Sequence, residues 1–219
     1  MTEITGILES GKLIELVIEK HNNFLGTFNS EFSELYGKLN SLKQESGTSR
    51  QEMDKTETRI LVLNEKYHLL FHQAKKQREE LFSSVVDNMR AKGASGIHEI
   101  KRKGERIDVL ETKLQTTKNI EDEDKIIAEL TGFLGDIGQA AASAGINAAF
   151  GGVVDILNEA NASHKEMLAI SGMPDKYAGI VSELDKQIGE LEGRYNWLKN
   201  RIESHSKALA HWETQKGGI

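Results

Sequence analysis

Cysteine is absent from these 219 residues, and proline occurs once, at Pro174. Without cysteine there is no disulfide framework, no zinc–thiolate site and no thiol nucleophile. One proline is too few for the shaped turns of an all-β or α/β chain of this length, whereas long uninterrupted helices need almost none. Residues 1–9 lack the basic-then-apolar pattern of a cleaved export signal and already carry Glu3 and Glu9, so a cytoplasmic location is the expectation. The net charge of −6 argues weakly against nucleic acid as a partner, provided that the charge is evenly spread.

What the chain has is apolar residues at alternating steps of three and four. Near the C-terminus they run Tyr177, Ile180, Leu184, Ile188, Leu191, Tyr195, Leu198, Ile202, His205, Leu209, Trp212, with charged and amide residues between. Such steps keep a narrow stripe on one side of an α-helix, the seam along which two helices supercoil. At about 1.5 Å per residue this helix is roughly 54 Å long, a scaffold dimension and not a wall of a compact enzyme core. A second ladder, Ile14, Val17, His21, Phe24, Phe28, Phe32, Leu35, Leu39, Leu42, precedes the polar run Glu45-Ser46-Gly47-Thr48-Ser49. Gly and Ser favour non-helical backbone, so a turn is expected there. A third ladder follows: Met53, Ile60, Leu63, Tyr67, Leu70, Ala74, Leu81, Val85, Met89. Two helices with similar seams and a short connection predict an antiparallel hairpin over residues 1–92.

Lys92-Gly93-Ala94-Ser95-Gly96 marks the next break, and a shorter helix uses Ile100, Ile107, Leu110 and Leu114. After Thr116-Thr117-Lys118-Asn119 the acids Glu121, Asp122, Glu123 and Asp124 crowd a helix start, where they complement its dipole, with Asn119 or Thr117 as the cap. Residues 93–130 therefore read as a basic elbow with short helices. Residues 131–173 read as an Ala/Gly-rich helical segment that Pro174 ends, and residues 174–219 as a C-terminal coiled-coil helix frayed over its last four residues. The fold class is all-α, with long antiparallel coiled-coil helices joined by shorter ones. Pairing within the chain, in a homodimer or with a partner coil buries the same stripes.

The charge is not evenly spread. Between Ala74 and Arg106 nine basic residues (Lys75, Lys76, Arg78, Arg90, Lys92, Lys101, Arg102, Lys103 and Arg106) face five acids, a local charge of +4. These nine are the candidate nucleic-acid contacts, against the plainer reading of a solvated helix surface. Residues 137–154 form an uncharged run of eighteen with six Ala and four Gly. Ala141, Gly145 and Ala149 recur every four residues, a spacing for close helix packing. A bent, close-packed tip is the expected form, and membrane contact through Ile137 to Val154 is the competing expectation.

Patterns for catalysis and cofactors are missing. His68 and His72 share a helix face but lack the Glu of a His-Glu-x-x-His zinc motif, and Glu121 to Asp124 reads as a solvated helix start before it reads as an ion site. No phosphate loop, nucleophile elbow or dinucleotide fingerprint occurs, so neither enzyme activity nor a cofactor or metal is expected. Trp197 and Trp212 read as packing. His205, at a seam position, is expected to be disfavoured in its charged form.

The stretch Ile107-Asp108-Val109-Leu110-Glu111-Thr112-Lys113-Leu114-Gln115-Thr116-Thr117, followed by an acidic helix start and Lys125-Ile126-Ile127-Ala128-Glu129-Leu130, resembles the centre of a coiled-coil family. Its members are archaeal coiled-coil proteins, often mislabelled phosphoserine phosphatases, and the related eukaryotic brefeldin-A-resistance or nuclear segregation protein. Ala74-Lys75-Lys76-Gln77-Arg78-Glu79-Glu80-Leu81 is similar to the family's basic preceding helix. The chain departs from the pattern at Lys118-Asn119-Ile120, where the family has Leu-Ser or a proline, and in the Ala/Gly-rich segment. The resemblance implies a non-enzymatic RNA- or ribosome-associated adaptor. The Asp-x-Asp-x-Thr loop that a phosphatase of this label needs is not there. A membrane-active helical protein with an inserting tongue, and a purely structural coiled-coil partner, are the alternatives from other classes.

Overall fold

The computed structural model describes residues 10–117 and 119–217, which form five α-helices and no strand: α1 Ser10–Ala91, α2 Ile97–Thr116, α3 Ile120–Ser143, α4 Gly151–Ile170 and α5 Met173–Gly217. The chain is all-α. Expectations for residues 1–9, Lys118, Gly218 and Ile219 fall outside the described residues, while Lys216 and Gly217 are part of the last helix. The chain divides into two compact units, Met1–Met53 with Asp175–Ile219, and Asp54–Pro174.

The expected hairpin over residues 1–92 does not form, because α1 is one helix of 82 residues that continues through Glu45 to Ser49. Gly47 costs about 1 kcal/mol against alanine in a helix interior, but the seam does not stop there. Leu42, Ser46 and Ser49 keep the three–four step, Ser46 is buried, and its hydroxyl donates to Asp185 Oδ1 at 2.9 Å. Thr48 Oγ1 donates to the Gln44 carbonyl within the helix at 3.0 Å. Small polar side chains that find partners here extend the helix where they were expected to break it.

In the first unit, α1 pairs with α5 in antiparallel fashion. Lys216 reaches Glu15, Arg194 reaches Glu31 at 2.7 Å, Lys43 reaches Glu192 and Arg50 reaches Asp185. Along the seam, Phe28 packs edge-on against Trp197 and Phe32 stacks on Tyr195. Two predicted rungs shift by one residue. Leu25 lies in the α1 seam while Phe24 is 38% exposed beside it, and Val181 is buried while Ile180 flanks it. Both positions satisfy a three–four step, and only the partner helix decides between them.

The second unit is an up-down-up-down four-helix bundle of residues 54–91 with α2, α3 and α4. Arg78 meets Glu111 and Asp108 on the returning α2, and Lys103 and Arg106 of α2 meet Asp136 and Glu129 of α3. Lys165 of α4 meets Asp124, and Arg59 and Lys66 meet Glu166 and Glu159. The core holds Phe71, Val85, Met89, Ile107, Leu110, Leu130, Leu134, Ile137 and Val153. The α1–α2 turn uses Gly93 at φ +61°, with Ala94 N donating to the Met89 carbonyl in a Schellman closure. Asn119 caps α3 through a bond from the Glu121 amide, as expected.

Residues 137–154 are therefore not one segment. They hold the end of α3, a turn with Gly145 at φ +69°, and the start of α4. Ile137, Ala141, Ile146, Phe150 and Val153 are buried in the bundle core. Among the described residues no helix is long and apolar enough to cross a membrane. The separate regions 93–130 and 131–173 merge into this one bundle. Pro174 sits in the first turn of α5, where a missing N–H costs nothing, and α4 has already ended at Ile170.

Candidate functional site

The nine basic residues separate into three groups. Arg78 is buried, because it occupies the seam rung between Ala74 and Leu81. Its guanidinium donates to Glu111 Oε1 at 3.1 Å, Glu111 Oε2 at 2.6 Å and Asp108 Oδ1 at 2.8 Å. Burial works against the Arg78 charge, yet the bonds and charges of Glu111 and Asp108 outweigh it and raise its pKa. Burial pushes the Glu111 carboxyl up further than Arg78 pulls it down. Buried and held by two carboxylates, Arg78 is withdrawn from the surface, which corrects its place among the candidate contacts.

A second group is exposed or half-buried but engaged. Lys92 Nζ donates to the carbonyls of Ala144 and Gly145 at 3.2 and 2.8 Å, closing the end of α3. Lys103 pairs with Asp136 at 2.7 Å, Arg90 with Asp87 at 3.5 Å and Lys76 with Glu80 at 4.0 Å. Lys75 lies half-buried close enough to Glu111 to lower that carboxyl.

The third group lies on the outer face of α2. Lys101 and Arg102 are exposed and make no ion pair within the described structure, and Arg106 holds Glu129 only at 3.4 Å. Arg102, Lys103, Glu105 and Arg106 line a groove of about 450 Å³ together with Val109 and Phe133. Positions 102, 106 and 109 share one helical stripe, so the structure gathers three of the nine around an aromatic ring. Phe133 was not singled out in the sequence, and its only signal there is its position one step off the α3 core ladder.

A second polar feature went unread. Glu123 of α3, His164 of α4 and Tyr67 of α1 occupy facing rungs of three ladders. Glu123 is 1% exposed, and His164 Nδ1 donates to its Oε2 at 2.7 Å. The His164 ring stacks on Tyr67 with centroids 4.7 Å apart, and burial, with the Glu123 charge, pushes the Tyr67 phenol up to about 12. Within the acidic helix start, only Glu121 and Asp122 face solvent without an α4 partner. Asp124 binds Lys165 and Asn161, and Glu123 is core. Among the described residues no three His, Cys, Asp or Glu groups stand close enough to hold a metal, and His68 and His72 are exposed.

In the two-helix unit, His21 and His205 face each other with Nδ1 atoms 2.8 Å apart, one ring donating and the other accepting. Burial, then His21, then Arg201 lower the His205 pKa below its ordinary 6.5.

Comparison of the chain with protein-family models, curated proteins and solved structures finds no match in any of the three.

Proposed function

We propose that this chain is a non-enzymatic RNA- or ribosome-associated helical adaptor whose contact surface is the outer face of α2. The observation that carries the reading is the groove lined by Val109 and Phe133 together with Arg102, Lys103 and Arg106. A ring beside unpaired or weakly paired guanidinium groups suits single-stranded RNA, with a base on Phe133 and flanking phosphates on Arg102, Arg106 and Lys101. Glu105, Glu129 and Asp136 on the same surface hold the potential down, so few phosphates are neutralised. With about three contacts, the log–log salt slope is about −2 for single strands. The resemblance of Leu110-Glu111-x-x-x-Gln115-Thr116 to the ribosome-associated family supports the ribosome as the setting.

The test is binding of a single-stranded RNA, and co-sedimentation with ribosomes, by the Lys101→Glu/Arg102→Glu double variant and by Phe133→Ala. Each is expected to weaken binding about tenfold or more, consistent with roughly 1–3 kcal/mol per stacked base. Unchanged binding in both refutes the assignment.

A second reading, a helix-pairing partner protein, is favoured by Leu61 and Leu69, 65% and 69% exposed, with Val62 on the face of α1 opposite the core rungs Leu63, Tyr67 and Ala74. Sedimentation velocity of Leu61→Glu/Leu69→Glu against the parent separates the two, since that face lies away from α2's groove residues in sequence and charge. The membrane-active reading draws no support from residues 137–154, because Ile137, Ala141, Phe150 and Val153 are inside the bundle.

A further inference from the structure

Glu123 meets His164 where α3 packs on α4, and Asn161, one turn before His164, meets the neighbouring Asp124. Glu123 uses one carboxylate oxygen for His164, and its other oxygen, Oε1, is buried with no hydrogen-bond partner. Asn161 donates from Nδ2 to Asp124 Oδ1 at 2.9 Å, and its Oδ1 is likewise buried without a partner. Among the described residues these are the two buried side-chain polar atoms left unsatisfied, and both are acceptors on facing helices three residues or fewer from the Glu123–His164 bond. A natural core rarely leaves such groups unmade. Two buried acceptors without a donor call for an electropositive occupant.

The surroundings narrow its chemistry. An imidazole nitrogen, a carboxylate and an amide oxygen form a mixed nitrogen–oxygen set of the type that suits zinc, manganese or ferrous iron better than calcium or magnesium. Two ligands about 2.0–2.2 Å from one tetrahedral ion stand roughly 3.4 Å apart, so the 2.7 Å between His164 Nδ1 and Glu123 Oε2 must open by about 0.7 Å as the ion enters. Facing helices of four-helix bundles are where such inward-pointing Glu and His ligands are built. Tyr67 covers the ring of His164, and the partly exposed edge of His164 leaves a way in.

We infer that Glu123, His164 and Asn161 form a site for a divalent transition-metal ion of the zinc class, held by the Glu123 carboxylate, His164 Nδ1 and Asn161 Oδ1. The ion takes the place of the proton on Nδ1, which moves to Nε2 of a neutral ring or leaves an imidazolium for solvent; since only the neutral ring is a ligand, binding weakens as pH falls. The site is independent of the α2 groove.

The test uses the full chain, stripped with a chelator and titrated with Zn²⁺ while thermal unfolding is followed, with Co²⁺ absorption as the spectroscopic probe. A ligand that binds only the folded form raises Tm in step with its concentration over Kd. The expected result is a Zn²⁺-dependent rise in Tm and a Co²⁺ d–d band, both weakened at least tenfold by Glu123→Gln and His164→Gln. His68→Ala/His72→Ala and His21→Ala, which remove the other paired imidazoles, leave both signals in place. Asn161→Asp places a charged oxygen on the third ligand and tightens binding several-fold, which keeps the test open if the Gln variants fold poorly. No Tm shift and no Co²⁺ band, a shift that follows His68 and His72, or an Asn161→Asp variant with unchanged affinity each overturn the site and leave an ordered water as the occupant.

Discussion

The two-helix unit and the four-helix bundle solve the same problem with different margins. In the pair, most seam side chains of α1 and α5 are half-buried, because two helices cover only one stripe of each other, and Leu39, Leu184 and Leu198 are among the few that are fully enclosed. In the bundle, each stripe meets two neighbours, and Met89, Ile107, Leu110, Leu130, Leu134 and Ile137 are essentially inaccessible. The same polar intrusion then has different consequences. His205 on the pair's seam keeps contact with water, whereas Arg78, Glu111 and Glu123 in the bundle lose it and must find partners. Both tryptophans, Trp197 and Trp212, belong to the pair, so indole fluorescence follows that unit while far-UV circular dichroism follows both.

The comparison breaks most visibly at Arg78. Arg78→Ala strands Glu111 as a buried charge and is expected to destabilise the bundle by about 3–5 kcal/mol. Lys101→Ala on the exposed face of the same unit stays within about 0.5 kcal/mol. Urea unfolding followed by circular dichroism gives both values. A loss below 1 kcal/mol at Arg78 means that its cluster is solvated and that the residue is available to a ligand after all.

Truncations sharpen the contrast in burial. Leu134→Ala in the bundle is expected to cost about 3–4 kcal/mol through lost transfer energy and the cavity left behind. Leu25→Ala on the half-buried seam of the pair costs about half as much, since part of its surface was already wet. The indole signal should shift with the second variant and not with the first. Equal losses at the two sites contradict the difference in enclosure.

How far these features could be read beforehand differs by kind. Ladder positions were legible: nearly all of the α5 seam, the ends of α2 and the Asn119 cap follow from local chemistry, which the sequence carries within a few residues. Partner choice was not. The stop at Gly47 looked like a turn because local propensity favours one, and the hydroxyl–carboxylate bond to Asp185 that helps keep the helix whole comes from 139 residues away. Arg78, Glu123 and His164 stood on ladder rungs in plain view, and reading each rung as apolar by requirement hid them. A polar residue in step with a seam is a signal of a buried partnership, and its partner appears only when the helices are assembled. The α2 groove lay between these cases, with its basic residues visible as a run and Phe133 hidden by distance in sequence.

A smaller effect is expected at Gly104. A Cβ added there meets the Phe82 ring at 2.5 Å and 2.7 Å, because α1 and α2 approach each other through the missing side chain. Gly104→Ala gains about 1 kcal/mol of helix propensity but forces the ring aside, and overpacking of this kind costs about 1–3 kcal/mol. The net expectation is a loss of about 1 kcal/mol, recovered when Phe82→Leu is added. A stabilised single variant shows that the ring moves freely.

The least of these effects belongs to the pair and to pH. His21 and His205 share one hydrogen bond between their Nδ1 atoms, which needs one of the two nitrogens unprotonated. The charged groups acting on His205 are His21 across the seam and Arg201 on its own helix, and both oppose a second proton, as burial does. The folded-state pKa of His205 therefore lies below its ordinary 6.5, so the unfolded chain takes up the proton first. The stability this residue adds is full above pH 6.5 and is lost as pH falls through the lowered value. The loss is modest, since the rings are only half-buried and solvent screens the repulsion. Thermal unfolding read by indole fluorescence should show Tm falling between pH 7.5 and 5, with a smaller fall in His205→Leu, where an apolar side chain fills the rung. If parent and variant fall equally, the pair's response comes from its surface carboxylates, and the two imidazoles play no part in how its helices hold together.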